Sequence, residues 1–299
     1  CLIGCIDRGM LSHTPIHCTV NPSLYRFECK PVEKAETRKQ VAVVGAGPAG
    51  CEAALTASKR GHQVTIYEKR CIGGAMIEAS KPENKANIKR LIHYYEDHIM
   101  HDPNITLVKE EVEYETLVHS GYDAVIIAVG GKTRILNVPG IEKNSVIYAS
   151  DYLNGSTAVT GNTVVVIGGG ITGAETALEL NAEGKKVTIV EMTDAFLANF
   201  SSACQAYLAT INETDIKILT GKRLTAVHEN NVILTDRWGN ETTVPADSVV
   251  IAAGFTSQNE LSDKLEENTD MQVFNVGDSK RIRQIYDAIH EGFIAARQI

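Results

Sequence analysis

The sequence has no long apolar run, no basic block and no secretory leader. Its longest apolar stretches, at residues 124–129 and 163–167, are far shorter than the roughly 20 residues that a helix needs to cross a bilayer. The 29 Lys and Arg residues are outnumbered by 37 Asp and Glu residues, and the net charge of −8 is spread along the chain. We therefore expect a soluble protein with no membrane partner. We also expect no nucleic-acid partner, because no basic patch would neutralise a phosphate backbone.

The cysteines and the start of the chain argue against secretion. Seven cysteines are an odd number, and a disulfide scaffold would be smaller and richer in cysteine, so a cytoplasmic location is predicted. The chain begins at Cys1 without an initiator methionine or the charged and apolar start of a signal peptide. We interpret it as a fragment or a processed chain.

Several catalytic motifs are also missing. There is no Gly-x-Ser-x-Gly and no His-Glu-x-x-His, so hydrolases and zinc proteases have no support. Cys71 and Cys204 each stand alone, and no Cys-x-x-Cys pair is present for dithiol chemistry. We predict no catalytic side chain and no metal site.

The sequence does contain a long internal repeat. Its 299 residues, 43% of them apolar, suffice for two domains with ordinary cores. Residues 41–68 align with residues 164–191 at an offset of 123, and 13 of the 28 positions are identical. Segments 122–130 and 246–254 also resemble each other, each an apolar strand that runs into glycine. One supersecondary unit is therefore used twice.

Each copy predicts strand, glycine turn, helix and strand, the order of a parallel α/β fold. In the first copy, the apolar run 41–44 predicts a strand that is covered on both faces. A helix follows over residues 49–60 and ends before Gly61, and residues 63–67 predict the second strand.

Three segments lie outside the repeat. The Thr- and Val-rich segment 216–249 predicts an antiparallel meander. Residues 31–39 are charged and poor in apolar side chains, which indicates a linker. The final helical segment, about 282–298, is too short to be a domain, and we expect it to pack on the first one.

The glycine turns fit a dinucleotide-binding fingerprint. In both copies Gly-x-Gly-x-x-Gly follows a predicted strand and opens a predicted helix, with an acid 23 residues after the first glycine. The first glycine allows the turn, the second lets the backbone approach a pyrophosphate, and the third lets helix and strand pack closely. The phosphates would lie at the helix N-terminus, where free N–H groups favour negative charge. The predicted contacts are Gly45, Gly47, Pro48, Ala49 and Gly50 in the first copy, and Gly168, Gly170, Ile171, Thr172 and Gly173 in the second.

An acidic residue ends the second strand of each copy. Glu68 and Glu191 could each accept hydrogen bonds from both hydroxyls of an adenosine ribose. Glu191 would repel a 2′-phosphate, and residues 192–194 offer no cation to hold one, so NADH is favoured over NADPH there. Lys69, a further predicted cofactor contact, and Arg70 follow Glu68, so no ribose preference is inferred for the first copy.

These motifs resemble the flavoproteins with two dinucleotide-binding domains, the class of glutathione reductase and thioredoxin reductase. The resemblance covers nearly all of residues 41–299. It implies an α/β fold of two Rossmann-like domains, the second inserted in the first, with FAD and NADH as cofactors. Further contacts implied by the resemblance are Gly73 and Gly74 beneath the flavin, the Val112 backbone at the adenine, Ala128, Gly130 and Gly254 in crossing loops, Gly277 and Asp278 at the ribityl chain, and Arg283, Gln284 and Ile285 at the isoalloxazine ring.

The arm before the first copy adds a narrower resemblance. The sequence around Cys5 and Cys18 resembles the joint of the NADH:flavin oxidoreductase family, which includes 2,4-dienoyl-CoA reductase and trimethylamine dehydrogenase. In that family an FMN-bearing barrel precedes the joint, and four cysteines hold a 4Fe-4S cluster. Cys5 and Cys18 match two ligands, but Leu2 and Gly9 take the other positions, which favours a joint without a cluster. The alternative is a metal held at altered spacing by the four cysteines of the arm.

The resemblance implies both an organisation and a function. Residues 1–38 would be an arm and linker, residues 39–155 and 262–299 the FAD-binding domain, and residues 156–261 the NAD-binding domain. The function would be an FAD-dependent NADH oxidoreductase module, which passes electrons to an FMN-bearing barrel of the same polypeptide that is absent from this chain. One alternative is a structural module that holds only ADP, and another is a thioredoxin-reductase-like disulfide reductase.

Overall fold

The computed structural model describes Leu2 and residues 4–24, 31–198 and 201–299. These residues form two compact units. The first comprises Cys1–Lys132 with Thr256–Ile299, and the second comprises Thr133–Phe255. The second unit is therefore inserted in the sequence of the first.

Helices and strands alternate along most of the described chain. The helices are α1 (Gly4–Ile6), α2 (Pro48–Lys59), α3 (Met76–Ala79), α4 (Ala86–His101), α5 (Tyr114–His119), α6 (Ala149–Leu153), α7 (Ile171–Ala182), α8 (Ser202–Asn212), α9 (Glu260–Asn268) and α10 (Ile285–Ala296). The strands are β1 (Gln40–Val44), β2 (Gln63–Tyr67), β3 (Ile105–Val108), β4 (Ala124–Ile127), β5 (Gly131–Thr133), β6 (Val146–Tyr148), β7 (Thr163–Ile167), β8 (Lys186–Val190), β9 (Lys217–Leu219), β10 (Lys222–Val227), β11 (Asn231–Asp236), β12 (Glu241–Pro245), β13 (Ser248–Ile251), β14 (Phe255–Ser257) and β15 (Gln272–Asn275). Residues 31–39 form neither helix nor strand.

The first unit is built on a parallel sheet with the strand order β15-β4-β1-β2-β3. Alternate residues of its central strand enter different cores. Val41 and Val43 join the cluster that contains α2, α4 and α10, whereas Ala42 and Val44 join the cluster that contains Leu117 of α5. Because both faces are covered, residues 41–44 of the strand all carry apolar side chains, as the unbroken run in the sequence predicted.

The second unit repeats the arrangement with the order β6-β13-β7-β8-β9, again parallel. Helices α7 and α8 cover one face, where Val164 and Val166 are buried. The antiparallel strands β10, β11 and β12 contribute to the core on the other face, which contains Val165 and Ile167. The predicted α/β fold with two Rossmann-like cores is therefore present in this chain.

The predicted meander over residues 216–249 is too long at both ends. Within that segment, β10, β11 and β12 pair with one another in the antiparallel direction. Strand β9 pairs in parallel with β8, and β13 pairs in parallel with both β6 and β7. A short β-branched run has the same appearance in either kind of sheet, so its partner could not be identified from the sequence.

The chain passes from the first compact unit to the second after Lys132 and returns to the first after Phe255. Both changes come earlier in the chain than the predicted domain boundaries at 155/156 and 261/262. Strand β6 lies before the first predicted boundary, yet it pairs with β13 in the second unit. Residues 133–155 consequently group with that unit. Which cofactor each unit holds stays a prediction.

The final helix packs against the first glycine turn, within the first unit. A Cβ on Gly292 of α10 would overlap the carbonyl oxygen of Ala49, so only glycine lets α10 approach α2 this closely. The N-terminal arm also contacts α10, because His290 Nε2 lies 2.8 Å from the carbonyl oxygen of Cys18. Across the described ranges, no helix combines the length and the hydropathy that a membrane span requires.

Candidate dinucleotide sites

The two glycine turns lie at strand-to-helix corners. Gly45 follows β1 and Gly168 follows β7, with φ values of +101° and +116°. A side chain at either position would be strained, and its Cβ would overlap a carbonyl oxygen, that of Ala128 in the first unit and that of Ala252 in the second. Each glycine turn therefore packs closely against the end of the neighbouring strand, where the crossing loop begins.

The third glycine of each motif packs the helix onto its own turn. A Cβ on Gly50 would overlap the carbonyl oxygen of Gly45, and a Cβ on Gly173 would overlap that of Gly168. These glycines are therefore needed by the protein itself, whether or not a ligand is bound.

The second glycine of each motif is not needed for packing. The nearest described atom to a Cβ built on Gly47 is the Cα of Gly74 at 4.0 Å, and none lies within 4 Å of one built on Gly170. Both glycines are helix N-caps with extended backbone and no side-chain capping bond in the described part of the chain. The first N–H groups of α2 and α7 thus begin next to open space, as a phosphate site requires.

The acidic residue of each copy makes the same pair of hydrogen bonds. Glu68 accepts one from the backbone N–H of Ala46 at 2.8 Å and one from that of Arg70 at 2.7 Å. The equivalent bonds of Glu191, from residues 169 and 193, are both 2.7 Å. Each carboxylate is fixed at the edge of its glycine turn, and an ionised carboxylate has further lone pairs for ribose hydroxyls.

The two cations after Glu68 are already paired. Lys69 lies 2.6 Å from Glu111, and Arg70 lies 2.6 Å from Glu78. Val112, the predicted adenine contact, is buried in the loop after β3, directly after Glu111. The loops after β2 and β3 therefore meet at this site.

Gly73 and Gly74 lie against the first glycine turn. The backbone N–H of Gly73 donates to the carbonyl oxygen of Ala46 at 2.8 Å. A Cβ on Gly74 would be 2.9 Å from the Cα of Gly47, so a larger residue would have to displace backbone. The structure therefore brings the predicted flavin-side segment and the predicted phosphate turn together.

Gly277 and Asp278 reach the same corner from a distant part of the chain. A Cβ on Gly277 would lie 3.0 Å from the Cβ of Ala49 in the first turn of α2. Asp278 accepts a hydrogen bond from the backbone N–H of Arg283 at 2.9 Å. Burial raises the pKa of the Asp278 carboxyl, although the Arg283 bond and charge oppose the shift.

The residues that begin α10 form an internal network. Gln284 is the N-cap of the helix, and its side chain and that of Asp287 form a capping box before Ile285, the first helical residue. Arg283 pairs with Glu291, whose other oxygen accepts from the backbone N–H of Gly277 at 2.8 Å. Glu291 was not predicted, because nothing in its local sequence indicates that it supports Gly277.

The crossing loops follow the central strands. Ala128 extends β4, and its backbone N–H donates to the carbonyl oxygen of Val44 at 2.8 Å. No atom of the described residues lies within 4 Å of a Cβ built on Gly130 or on Gly254. Both glycines therefore border open space beside their own sheet.

One cation near Glu191 was missed by the sequence analysis. Arg237 lies in the turn after β11, and its Nη1 is 3.3 Å from Oδ2 of Asp194, three residues after Glu191. No sequence signal links positions 43 residues apart, because the pairing depends on how β10 and β11 fold back beside β8.

The arm does not offer a cluster site among its described residues. Cys5 and Cys18 are free thiols, Leu2 packs against the first core, and a Cβ on Gly9 would lie 2.9 Å from Ile16. No group of three or more potential metal ligands occurs in the described ranges. The alternative with four arm cysteines also needs Cys1 and Cys29, which lie outside the described residues. Cys5 and Cys18, the two arm cysteines among the described residues, supply only half of the ligands that a 4Fe-4S cluster needs.

Comparison with known proteins gives consistent relatives. The family described as pyridine nucleotide-disulphide oxidoreductase matches residues 39–292. The chain is 35% identical over 307 residues to a protein named NADH oxidase from Thermoanaerobacter brockii, covering 100% of this chain and 47% of that protein. It is 31% identical to a cinnamate reductase from Clostridium sporogenes, covering 100% of this chain and 45% of that protein.

A solved structure shows the same relation. The chain matches a 2-naphthoyl-CoA reductase in complex with 2-naphthoyl-CoA at a TM-score of 0.85 and 29% identity, covering 96% of this chain and 44% of that one. The chain thus spans about half the length of the curated relatives that it matches.

Proposed function

Because the chain belongs to the pyridine nucleotide-disulphide oxidoreductase family, we propose that it is an oxidoreductase module that binds FAD in its first unit and NADH in its second. The observation that carries this proposal is the duplicated corner. In both units a glycine turn opens a helix beside a carboxylate held by the same two backbone bonds. Such a corner suits the pyrophosphate and ribose of an adenine dinucleotide.

The first unit favours FAD over ADP alone. Gly74 lies against the second glycine of the turn, and Gly277 against the first turn of α2. Asp278 directly follows Gly277, and α10 begins a short distance later, at Ile285. An ADP site would need the corner and Glu68 but none of these segments. We propose that Gly277 and Asp278 hold the ribityl chain and that residues 283–285 border the ring.

The second unit is proposed to take NADH. Its corner has open space at Gly170, and Glu191 is placed to accept bonds from both ribose hydroxyls. When bound, FAD would supply the chemistry, because it can take a hydride from a nicotinamide and release electrons singly. We propose no acid or base from this chain, whose residues hold the phosphates and orient the adenosine groups.

The acceptor is proposed to be an FMN-bearing barrel of the same polypeptide. The matched relatives are about twice as long as this chain, which leaves room for such a domain in them. The names NADH oxidase and cinnamate reductase also fit a module that collects electrons from NADH for a partner domain. We derive no step through an iron-sulfur cluster. A cytoplasmic location is part of the proposal, because the described cysteines are free thiols.

A disulfide reductase is the second candidate, since the family description includes that activity. It needs a thiol pair beside the flavin, and the sequence contains no Cys-x-x-Cys. Cys71, close to Gly73, is exposed and free. The oxidoreductase module without dithiol chemistry is therefore preferred.

Mass spectrometry of the nucleotide released on denaturation tests the first site. We expect FAD, and anaerobic NADH should bleach the flavin absorption of the purified chain and support ferricyanide reduction. Asp278→Asn should lower the ratio of FAD to protein, whereas Asp270→Asn, an exposed control in the same unit, should not. Release of ADP alone would establish the structural alternative, and reduction of disulfide substrates at a comparable rate would favour the disulfide reductase.

A further inference from the structure

The turn after β11 lies beside Glu191. The backbone N–H of Lys222 donates to the carbonyl oxygen of Glu191 at 3.1 Å, and Lys222 is the register partner of Asp236 at the end of β11. Arg237 follows Asp236 directly, and its pairing with Asp194 at 3.3 Å is a second, independent link to the same segment. Two connections therefore place Arg237 close to Glu191, the carboxylate proposed to bind the ribose.

The charges around this segment can be assigned one by one. The side-chain amide of Asn240 donates to Asp236 at 3.0 Å, and the backbone N–H groups of Asn240 and Trp238 each donate to it at 2.9 Å; these bonds, with the nearby Lys222, lower the pKa of Asp236. Lys222 is in turn bonded to Thr242 at 3.0 Å. The opposite charges of Asp236 and Lys222 therefore compensate each other within the hairpin.

Three further charged side chains belong to this segment and the turn, namely those of Glu191, Asp194 and Arg237. Glu191 and Asp194 are negative, and Arg237 is positive, which leaves one net negative charge. The guanidinium of Arg237 stacks on Trp238 with its carbon 4.3 Å from the ring centroid. Its partner carboxylate is exposed, as are Trp238 at 73% and Met192 at 71%.

We propose that the Asp194–Arg237 pair sets the choice between NADH and NADPH at the second site, an inference that rests on the proposed function. Arginine is the side chain that accommodates a 2′-phosphate in dinucleotide folds, and it binds phosphate through two parallel N–H bonds. Here the carboxylate of Asp194 occupies that cation and adds its own repulsion to a dianion. NADH, whose ribose has a free 2′-hydroxyl, meets neither obstacle.

The pair is suited to a specificity role because it contributes little to folding. Exposed ion pairs stabilise a protein weakly and are screened by salt. Removing Asp194 should therefore leave the unit folded and free Arg237 for a phosphate. Trp238 is the only tryptophan of the chain, so its fluorescence reports binding at this place alone.

The test uses 5′-ADP and 2′,5′-ADP as probes for the chain saturated with FAD. Calorimetry gives both dissociation constants, and Trp238 fluorescence shows whether the probe binds beside Arg237. The wild-type chain should prefer 5′-ADP. Asp194→Asn should tighten 2′,5′-ADP by roughly two- to fivefold relative to 5′-ADP, the range expected for one exposed charge pair. Adding Arg237→Ala should remove most of that gain and leave only the part that comes from losing the Asp194 charge, and Asp215→Asn, an exposed control in the same unit, should leave the ratio unchanged.

The outcomes separate the two proposals. If both probes bind with a fluorescence change but Asp194→Asn keeps the wild-type ratio, the specificity role is wrong and the nucleotide site stands. If the whole gain survives Arg237→Ala, the lost repulsion of Asp194 accounts for it and the assignment to Arg237 is wrong. If the wild-type chain binds neither probe, the proposed NADH site falls, and the inference falls with it.

Discussion

The two glycine corners have the same backbone and different surroundings. Glu68 and Glu191 accept equivalent pairs of backbone bonds. Around the first corner, Gly74 and Gly277 approach so closely that a Cβ on either would lie 3.0 Å or less from its neighbour. Around the second, no described atom comes within 4 Å of a Cβ on Gly170.

This difference indicates what changed after the repeat arose. The glycine corner proposed to bind a phosphate and a ribose is common to both units, whereas the surrounding segments are specific to each. On the proposed function, the closely packed segments around the first corner suit a cofactor that stays bound, and the barer second corner suits a nucleotide that exchanges in every turnover. The variants below test that distinction.

Placing alanine at the third glycine should have the largest effect. Gly50→Ala and Gly173→Ala each force a Cβ against a carbonyl oxygen of the same turn, and overpacking of this kind costs about 1–3 kcal/mol or more. We expect Gly50→Ala to lose FAD, and Gly173→Ala to keep FAD but lose reduction by NADH. Flavin content and thermal unfolding measure this. A Gly50→Ala chain with normal FAD content and melting temperature would contradict the packing argument.

Alanine at the second glycine of the motif, Gly170, should lower the affinity for the ligand without destabilising the fold. A Cβ at Gly170 meets open space, so thermal stability should change little, while the approach of a pyrophosphate is blocked. We expect NADH affinity to fall about tenfold, or about 1.4 kcal/mol, in a titration of the FAD-loaded chain. Gly170→Ser is the matched variant, since it adds a good capping side chain and the same Cβ. Normal NADH affinity in both variants would argue against a phosphate at this corner.

Replacing Glu191, the carboxylate proposed to bind the ribose in the second unit, should change the selectivity between NADH and NADPH. Glu191→Ala removes the acceptor for the ribose hydroxyls and a repulsive charge against a 2′-phosphate. We expect the ratio of kcat/KM for NADH to that for NADPH to fall about tenfold, consistent with one charged hydrogen bond. Glu68→Ala should instead reduce FAD content and leave that ratio unchanged in the flavin-bound fraction. An unchanged ratio in Glu191→Ala would remove Glu191 from its assigned role.

The last effect concerns stability alone and comes from Glu52 in α2. Burial raises its pKa to about 7, although Tyr95 and Thr56 bond to it. Because the folded state keeps the proton longer than the unfolded chain, stability should fall as pH rises from about 4.5 to about 7, by up to about 3 kcal/mol. Glu52→Gln should remove this pH dependence of the free energy of unfolding, measured with urea across the same pH range. Glu36→Gln, an exposed control, should leave it in place. A wild-type chain whose stability is constant between these pH values would contradict the prediction.

Much of the fold followed from local patterns. The runs at β1 and β7, the glycines after them and the acids after β2 and β8 recur at a fixed offset. Such features report backbone geometry directly, because a tight turn and a closely packed helix admit only glycine at fixed positions. The corners could therefore be identified from the sequence.

The sequence by itself determined that two copies of one nucleotide-binding element exist and which residues form each turn, because that information is local. Only the tertiary structure decided that β6 joins the second sheet, that Glu291 supports Gly277 and that Arg237 meets Asp194. These relations depend on chain pairing over long separations, for which a short segment carries no signal. The same physical reason explains why the glycine turns were identified in advance, whereas the contacts of Glu291 and Arg237 were not.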